Sequence, residues 1–223
     1  MVNRNNIAYY LLTQGTVSLV YYGTMVITPF KPHELPFTWV DREISFQGIF
    51  NYFYISFFFL LLTAIVFTRI DYARKCMMVI LTNTAVAAFF FFFFPTSMRP
   101  GYYAAVGYGD QYPTWLIHHL DRNLNCFPSL HIANAFAATF YFSLFKKAWV
   151  KRLVWCWFLL IGWSVLSTKQ HYFLDVLGGM LLSLGSIYIH GLPVSKHCIK
   201  KRRSYAALLQ TGQWRKSIFK KQI

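Results

Sequence analysis

The sequence predicts an all-α polytopic membrane protein with six transmembrane helices. Of its 223 residues, 56% are hydrophobic and only 13% are charged, whereas a soluble domain carries about a quarter charged residues. The apolar residues form long blocks, which excludes a disordered chain, a coiled coil and a disulfide scaffold. Most charged residues lie between these blocks, as in proteins that cross a membrane several times.

Six apolar blocks are candidate spans, because a helix needs about 20 predominantly apolar residues to cross the hydrocarbon core. They cover residues 7–30, 48–69, 76–94, 130–145, 153–167 and 173–192. The fourth and fifth are short, and we expect them to extend by about a turn at each end. Neither an internal repeat nor a low-complexity linker interrupts the series, so the sequence predicts one membrane domain, 1–195, and a basic tail, 196–223.

The positions of Lys and Arg predict the orientation. If both termini and the turns 69–75 and 146–152 share one side, that side holds 17 of the 22 Lys and Arg. Such an asymmetry places both termini in the cytoplasm. It also accounts for the net charge of +15 without a nucleic-acid partner. The basic tail is interpreted as a topology anchor, or as a segment attracted to anionic lipid headgroups.

Ionisable side chains lie at the external ends of three spans. Arg99 closes the third span, His131 opens the fourth, and Lys169, His171 and Asp175 lie where the sixth begins. Ionisable groups at membrane depth are costly and are therefore candidates for function. We expect these side chains to meet in one site on the external face.

The two histidines and the aspartate suit acid–base and nucleophilic chemistry. His171 and Asp175 are four residues apart, so on a helix they share a face, and Asp175 can hold one imidazole nitrogen. The other nitrogen is then a nucleophile or a base, and His131 provides an acid. The same set could also serve as a buried His/Asp relay in a transporter, although inverted repeats or broken helices are not evident.

The remaining polar groups suit an anion such as a phosphoryl group. Ser129 offers a hydroxyl and free backbone N–H groups at a helix N-terminus. Arg99 and Lys169 add positive charge, although either side chain could instead only snorkel to the headgroups. We expect neither a metal nor another cofactor, because a lone Asp beside two His is not a hard-cation site and the four cysteines lack metal-type spacing.

These residues resemble the type 2 phosphatidic acid phosphatase (PAP2) superfamily of membrane lipid phosphatases, which is related to the vanadium haloperoxidases. That family carries the motifs Lys-x6-Arg-Pro, Pro-Ser-Gly-His and Ser-Arg-x5-His-x3-Asp. The second motif stands here as Pro128-Ser129-Leu130-His131, and the third as Ser164-Val165 followed by His171 and Asp175. The pattern of Phe-Pro-Ser-Leu-His with Lys-Gln-His-Tyr is similar to the subgroup that contains inositol phosphorylceramide synthases.

The sequence departs from the family at three positions. The first motif survives only as Arg99-Pro100, with Phe92 in the place of its Lys. Leu130 replaces the Gly of the second motif, and Val165 replaces the Arg of the third. Two family cations are therefore missing, and we expect Lys169 to take over part of their role.

The resemblance implies a helical bundle of the haloperoxidase type, with its active site at the ends of spans three, four and six. His171 would attack phosphorus to form a phosphohistidine, Asp175 would orient it, and His131 would protonate the departing alkoxide and later activate water. The phosphate oxygens would be held by Arg99, Ser129 and Lys169.

The expected function is that of a lipid phosphate phosphatase in the plasma (inner) membrane, with its site on the external or periplasmic face. It would remove a phosphate monoester or a pyrophosphate from a lipid. The alternative enzyme is a lipid phosphotransferase of the inositol phosphorylceramide or sphingomyelin synthase type. The expected partners are a phosphorylated lipid substrate and the surrounding membrane lipids.

Overall fold

Six long helices alternate in direction through residues 3–98 and 124–191, which are the residues that the computed structural model describes. They are α1 Arg4–Ile27, α3 Asn51–Val66, α4 Ile70–Phe93, α5 Leu130–Ser143, α6 Ala148–Ser167 and α7 Phe173–His190. A short helix, α2 Trp39–Glu43, lies between α1 and α3, and a 3-10 turn, Gly48–Phe50, leads into α3. The described residues are mostly helical, as predicted, and include one pair of short strands.

Hydrogen bonds between helix ends fix the directions of the first helices. The Asn6 side chain, at the start of α1, donates to the carbonyl of Thr68 just after α3, over 2.8 Å. The Thr28 hydroxyl, just after α1, donates to the carbonyl of Phe92 near the end of α4, over 3.0 Å. Helices α1 and α4 are therefore parallel, and α3 is antiparallel to them. We call the end at Thr28 and Phe92, where α5 and α7 begin, the site end.

Among the described residues, four helices are long and apolar enough to cross a membrane. These segments are Gly48–Val66, Ile70–Phe93, Ala148–Ser167 and Phe173–His190. They confirm a membrane protein with several spans, and the count of six stays a prediction. The fifth predicted span does extend toward its N-terminus, to Ala148, whereas the expected extension of the fourth is wrong. Ser129 caps α5, and a turn follows Ser143.

Helix α5 lies at the centre of the bundle and contacts α3, α4, α6 and α7. At 14 residues it is about 21 Å long, shorter than the hydrocarbon core of about 30 Å. Twelve of those residues are buried, so this helix is enclosed by protein. Four fully buried alanines let its neighbours approach closely: Ala133, Ala135, Ala137 and Ala138.

The segment 31–47, between α1 and the 3-10 turn, folds across the site end. Its strand β1, His33–Glu34, pairs in parallel with β2, Thr96–Ser97, which follows α4. Helix α2 comes next, and the Gln47 amide then donates to the carbonyl of Ser167 over 3.0 Å. This segment therefore contacts both the end of α4 and the connection between α6 and α7. The predicted basic tail, 196–223, lies outside the described residues.

Candidate active site

Asp175 and His171 meet where α7 begins. The Nδ1 atom of His171 lies 3.5 Å from Oδ2 of Asp175. Asp175 is completely buried and His171 is only 7% exposed, so the contact is shielded from solvent. The predicted pairing is therefore observed, and it leaves Nε2 of His171 as the nitrogen for chemistry.

The local structure around this pair differs from the prediction. His171 does not share a helix face with Asp175, because α7 starts only at Phe173. Asp175 Oδ2 accepts the backbone N–H of Tyr172 over 2.8 Å and so caps the helix after His171, at the start of the predicted sixth span. Oδ2 of Asp175 thus both accepts the amide at the helix start and faces the imidazole of His171. The helix start is fixed relative to His171 by the same group.

The loop that carries His171 is held by the backbone of the residue that replaces the family Arg. The amides of Gln170 and His171 both donate to the carbonyl of Val165, each over 3.1 Å. The Val165 side chain is completely buried in the core. Lys169 has a φ of 59°, a left-handed conformation that is uncommon for a residue other than glycine. The two hydrogen bonds to Val165 therefore hold the backbone of this loop on the end of α6.

The second motif packs directly on α7. The Ser129 amide donates to the carbonyl of Asp175 over 3.1 Å, and the Ser129 hydroxyl accepts from the Ile132 amide over 3.4 Å as the cap of α5. Gly179 makes this approach possible, since a Cβ there would lie 2.4 Å from the Ser129 carbonyl oxygen. The amide of Ser129 is thus not free, contrary to the prediction. Its hydroxyl role toward phosphate stays a prediction.

His131 lies against α3. Its Nε2 atom is 3.1 Å from the carbonyl oxygen of Tyr54 and therefore donates to it. The ring stacks on Tyr54 at 4.1 Å and packs against Phe57 at 4.0 Å between centroids. Ser129, two residues before His131, donates its amide to the carbonyl of Asp175, so His131 and the His171–Asp175 pair lie on backbone segments in direct contact. The aromatic contacts hold the His131 ring in place.

Lys169 has contacts that the sequence did not predict. Its ammonium donates to the backbone carbonyls of Asp41, over 3.0 Å, and Ile44, both in the segment 31–47. The residue is 4% exposed. Burial lowers the pKa of Lys169, with the nearby charge of Asp41 acting in the opposite direction. These contacts direct the ammonium toward the segment 31–47, so they do not support Lys169 as a phosphate ligand.

Sequence reasoning missed two residues that join the pieces of the site. Thr96, in β2, accepts the amide of Phe127 at its hydroxyl over 2.7 Å, which ties the strand after α4 to the second motif. Asp41 accepts the amide of Phe173 over 2.8 Å. The spacing Thr38-x-x-Asp41 resembles a capping box and signals a helix start. The sequence around Thr96 contains no pattern that predicts its bond to Phe127.

The predicted phosphate ligand Arg99 lies outside the described residues.

Two comparisons bear on the identity of the chain. A family model described as the PAP2 superfamily matches residues 30–189, a range that includes the second and third motifs. An inositol phosphorylceramide synthase of Candida albicans is 39% identical over 62 residues. That alignment covers 26% of this chain and 12% of the relative, so the chain spans only a small part of the relative's length.

Proposed function

The chain belongs to the PAP2 superfamily, and from that membership we propose that it is a membrane lipid phosphate phosphatase with a phosphohistidine intermediate. The observation that carries this proposal is the shielded contact of 3.5 Å between His171 and Asp175, next to the second motif. An imidazole whose Nδ1 faces a buried carboxylate leaves Nε2 available as a nucleophile. Membership in this family favours an enzyme over a transporter.

In the first step, Nε2 of His171 attacks phosphorus and the bond from phosphorus to the lipid oxygen breaks. His131 gives a proton to that oxygen, so a lipid alcohol leaves. The carbonyl of Tyr54 keeps a proton on Nε2 of His131, and Nδ1 is therefore the atom that exchanges the proton. The products of this step are the alcohol and a phosphohistidine.

In the second step, a water molecule attacks phosphorus and gives its proton to His131. The bond from phosphorus to Nε2 of His171 breaks, which releases inorganic phosphate and restores both histidines. Asp175 stabilises the positive charge that the His171 ring carries as the intermediate forms. The reaction as proposed uses side chains and backbone groups alone, without a metal.

The phosphate oxygens would be bound by Arg99, the Ser129 hydroxyl and the N-terminus of α5, where the helix dipole favours an anion. Lys169 is not among these ligands, because its ammonium donates to the carbonyls of Asp41 and Ile44. We propose further that the site end faces the outside of the plasma or inner membrane, because the basic turns lie at the opposite end of the helices.

A lipid phosphotransferase is the second candidate, and two observations favour it. The similarity to an inositol phosphorylceramide synthase is one. The other is the burial of His171 and Asp175, since a shielded intermediate persists until an acceptor arrives. In this alternative a lipid hydroxyl replaces water in the second step, and the same residues keep their roles.

Incubation of the purified protein with phosphatidic acid in detergent tests the proposal. We expect release of inorganic phosphate by the wild type and only background release by His171→Ala. His190→Ala is the matched control, because His190 ends the same helix at its far end and bonds to Thr82. It should retain the wild-type rate.

The products separate the two candidates. Phosphate release supports the phosphatase, whereas transfer of labelled phosphate to a second added lipid, without release, supports the transferase. A His171→Ala variant that keeps a substantial share of the wild-type rate by either route would overturn both.

A further inference from the structure

Asp41 joins two distant helix starts through one buried carboxylate. Its Oδ2 atom accepts the amide and the hydroxyl of Thr38 over 2.8 and 2.6 Å, at the start of α2. Its Oδ1 atom accepts the amide of Phe173 over 2.8 Å, 132 residues further along the chain. Asp41 is 4% exposed. Burying a carboxylate is costly unless it is hydrogen-bonded, and these three bonds offset that cost.

The bond to Phe173 fixes the chain just after His171. Phe173 is the first residue of α7, and the first amides of a helix have no partner within it. A cap for α2 alone needs only the bonds to Thr38, so the second oxygen serves a purpose outside α2. With Asp175 bound to the amide of Tyr172, two consecutive amides after His171 are held by two different carboxylates.

The same segment also holds the chain just before His171. The ammonium of Lys169 donates to the carbonyls of Asp41 and Ile44. On the other side of His171, the ring of Tyr172 packs edge-on against Phe37 at 5.8 Å. The segment 31–47 thus contacts Lys169, two residues before His171, and Tyr172, the residue directly after it.

We propose that Asp41 is a positioning residue, which fixes Nε2 of His171 for attack by binding the Phe173 amide, and that Lys169 fastens the same loop from its other end. This inference rests on the proposed function, in which His171 is the nucleophile. It also gives Lys169 a role that does not involve the phosphate. A nucleophile displaced by about 1 Å commonly loses about 10²-fold in rate.

Two variants of Asp41 test whether the bond from the Phe173 amide to Oδ1 of Asp41 is needed for the rate. Asp41→Ala removes it, and we expect the rate of His171 phosphorylation in single-turnover experiments to fall by about 10²-fold, with little change in KM. Asp41→Asn keeps an oxygen that can accept the Phe173 amide, so most of the rate should return. Glu43→Ala is the matched control, because Glu43 is an exposed acid on the same short helix.

Amide hydrogen exchange tests the contact independently of the reaction. We expect peptides that contain Phe173 to exchange faster in Asp41→Ala than in the wild type or in Glu43→Ala. Thermal melting in detergent identifies any variant that is unfolded. If Asp41→Ala is unfolded, the comparison of Asp41→Asn with the wild type still tests the proposal.

Three results would overturn the proposal. They are an Asp41→Ala rate close to that of Glu43→Ala, an Asp41→Asn rate as low as that of Asp41→Ala, or unchanged exchange at Phe173. A wild type that turns over without label on His171 would instead overturn the proposed function. The exchange experiment would then still decide whether Asp41 fixes the loop.

Discussion

Replacing Gly179 by alanine should push the start of α5, which carries the second motif, away from α7. Gly179 is buried in α7 and faces the backbone of the second motif. A Cβ there would lie 2.4 Å from the carbonyl oxygen of Ser129, and 3.3 Å from both the Ala133 amide nitrogen and the Ile132 Cβ. Since ordinary contact begins near 3.4 Å, the start of α5 must retreat by roughly 1 Å.

The expected loss of activity follows from the position of His131 near the start of α5. Ser129 donates to the Asp175 carbonyl and is followed two residues later by His131, so a shift of α5 moves the proposed acid, His131, relative to the proposed nucleophile, His171. A displacement of this size is expected to lower kcat by about 10²-fold. Overpacking also costs about 1–3 kcal/mol of stability, which the better helix propensity of alanine reduces by about 1 kcal/mol.

Gly185→Ala is the matched control, because Gly185 lies on the same helix and a Cβ there meets nothing within 4 Å. Gly178→Ala should give an intermediate result. A Cβ at Gly178 meets the ring of Phe127 at 2.4 Å, and a side chain can move where a backbone cannot. Initial rates and melting temperatures in detergent are the measurements. If Gly179→Ala is as active as Gly185→Ala, the reasoning about this close approach is refuted.

Two further predictions address stability and metal. Thr96→Val leaves the Phe127 amide without its acceptor and should cost about 1–3 kcal/mol, seen as a lower melting temperature; an unchanged melt would contradict this. Activity should persist in excess EDTA, because the proposed phosphate ligands are cationic and backbone groups; loss on chelation that Mg²⁺ restores would contradict this.

The pairing of His171 with Asp175 and the start of the last helix at Phe173 could both be predicted from sequence, but the way that this helix is capped could not. A spacing of four residues brings both side chains together on a helix, and the contact forms although His171 precedes the helix. The cap was not apparent because Tyr172 lies where Ser, Thr, Asp or Asn usually caps a helix. Its amide is bound instead by Asp175, so the same carboxylate has two functions.

The contacts of Lys169 and Asp41 could not be predicted for a different reason. Lys169 donates to backbone carbonyls, which every residue possesses, so the sequence contains no sign of its partners. Asp41 is recognisable as a helix cap from Thr38, but its bond to Phe173 joins segments 132 residues apart. Apolar blocks and charge asymmetry predict a bundle and its direction. They do not specify how the segment 31–47 folds over the end of that bundle.

Trapping the covalent intermediate on His171 tests the central claim most directly. The wild-type protein is mixed with substrate carrying a labelled phosphoryl group, stopped rapidly without acid, digested and mapped. We predict label on the peptide that contains His171, formed as fast as the alcohol product and absent from His171→Ala. Label on another residue, or product formation in the first turnover with no labelled peptide at all, would contradict the account.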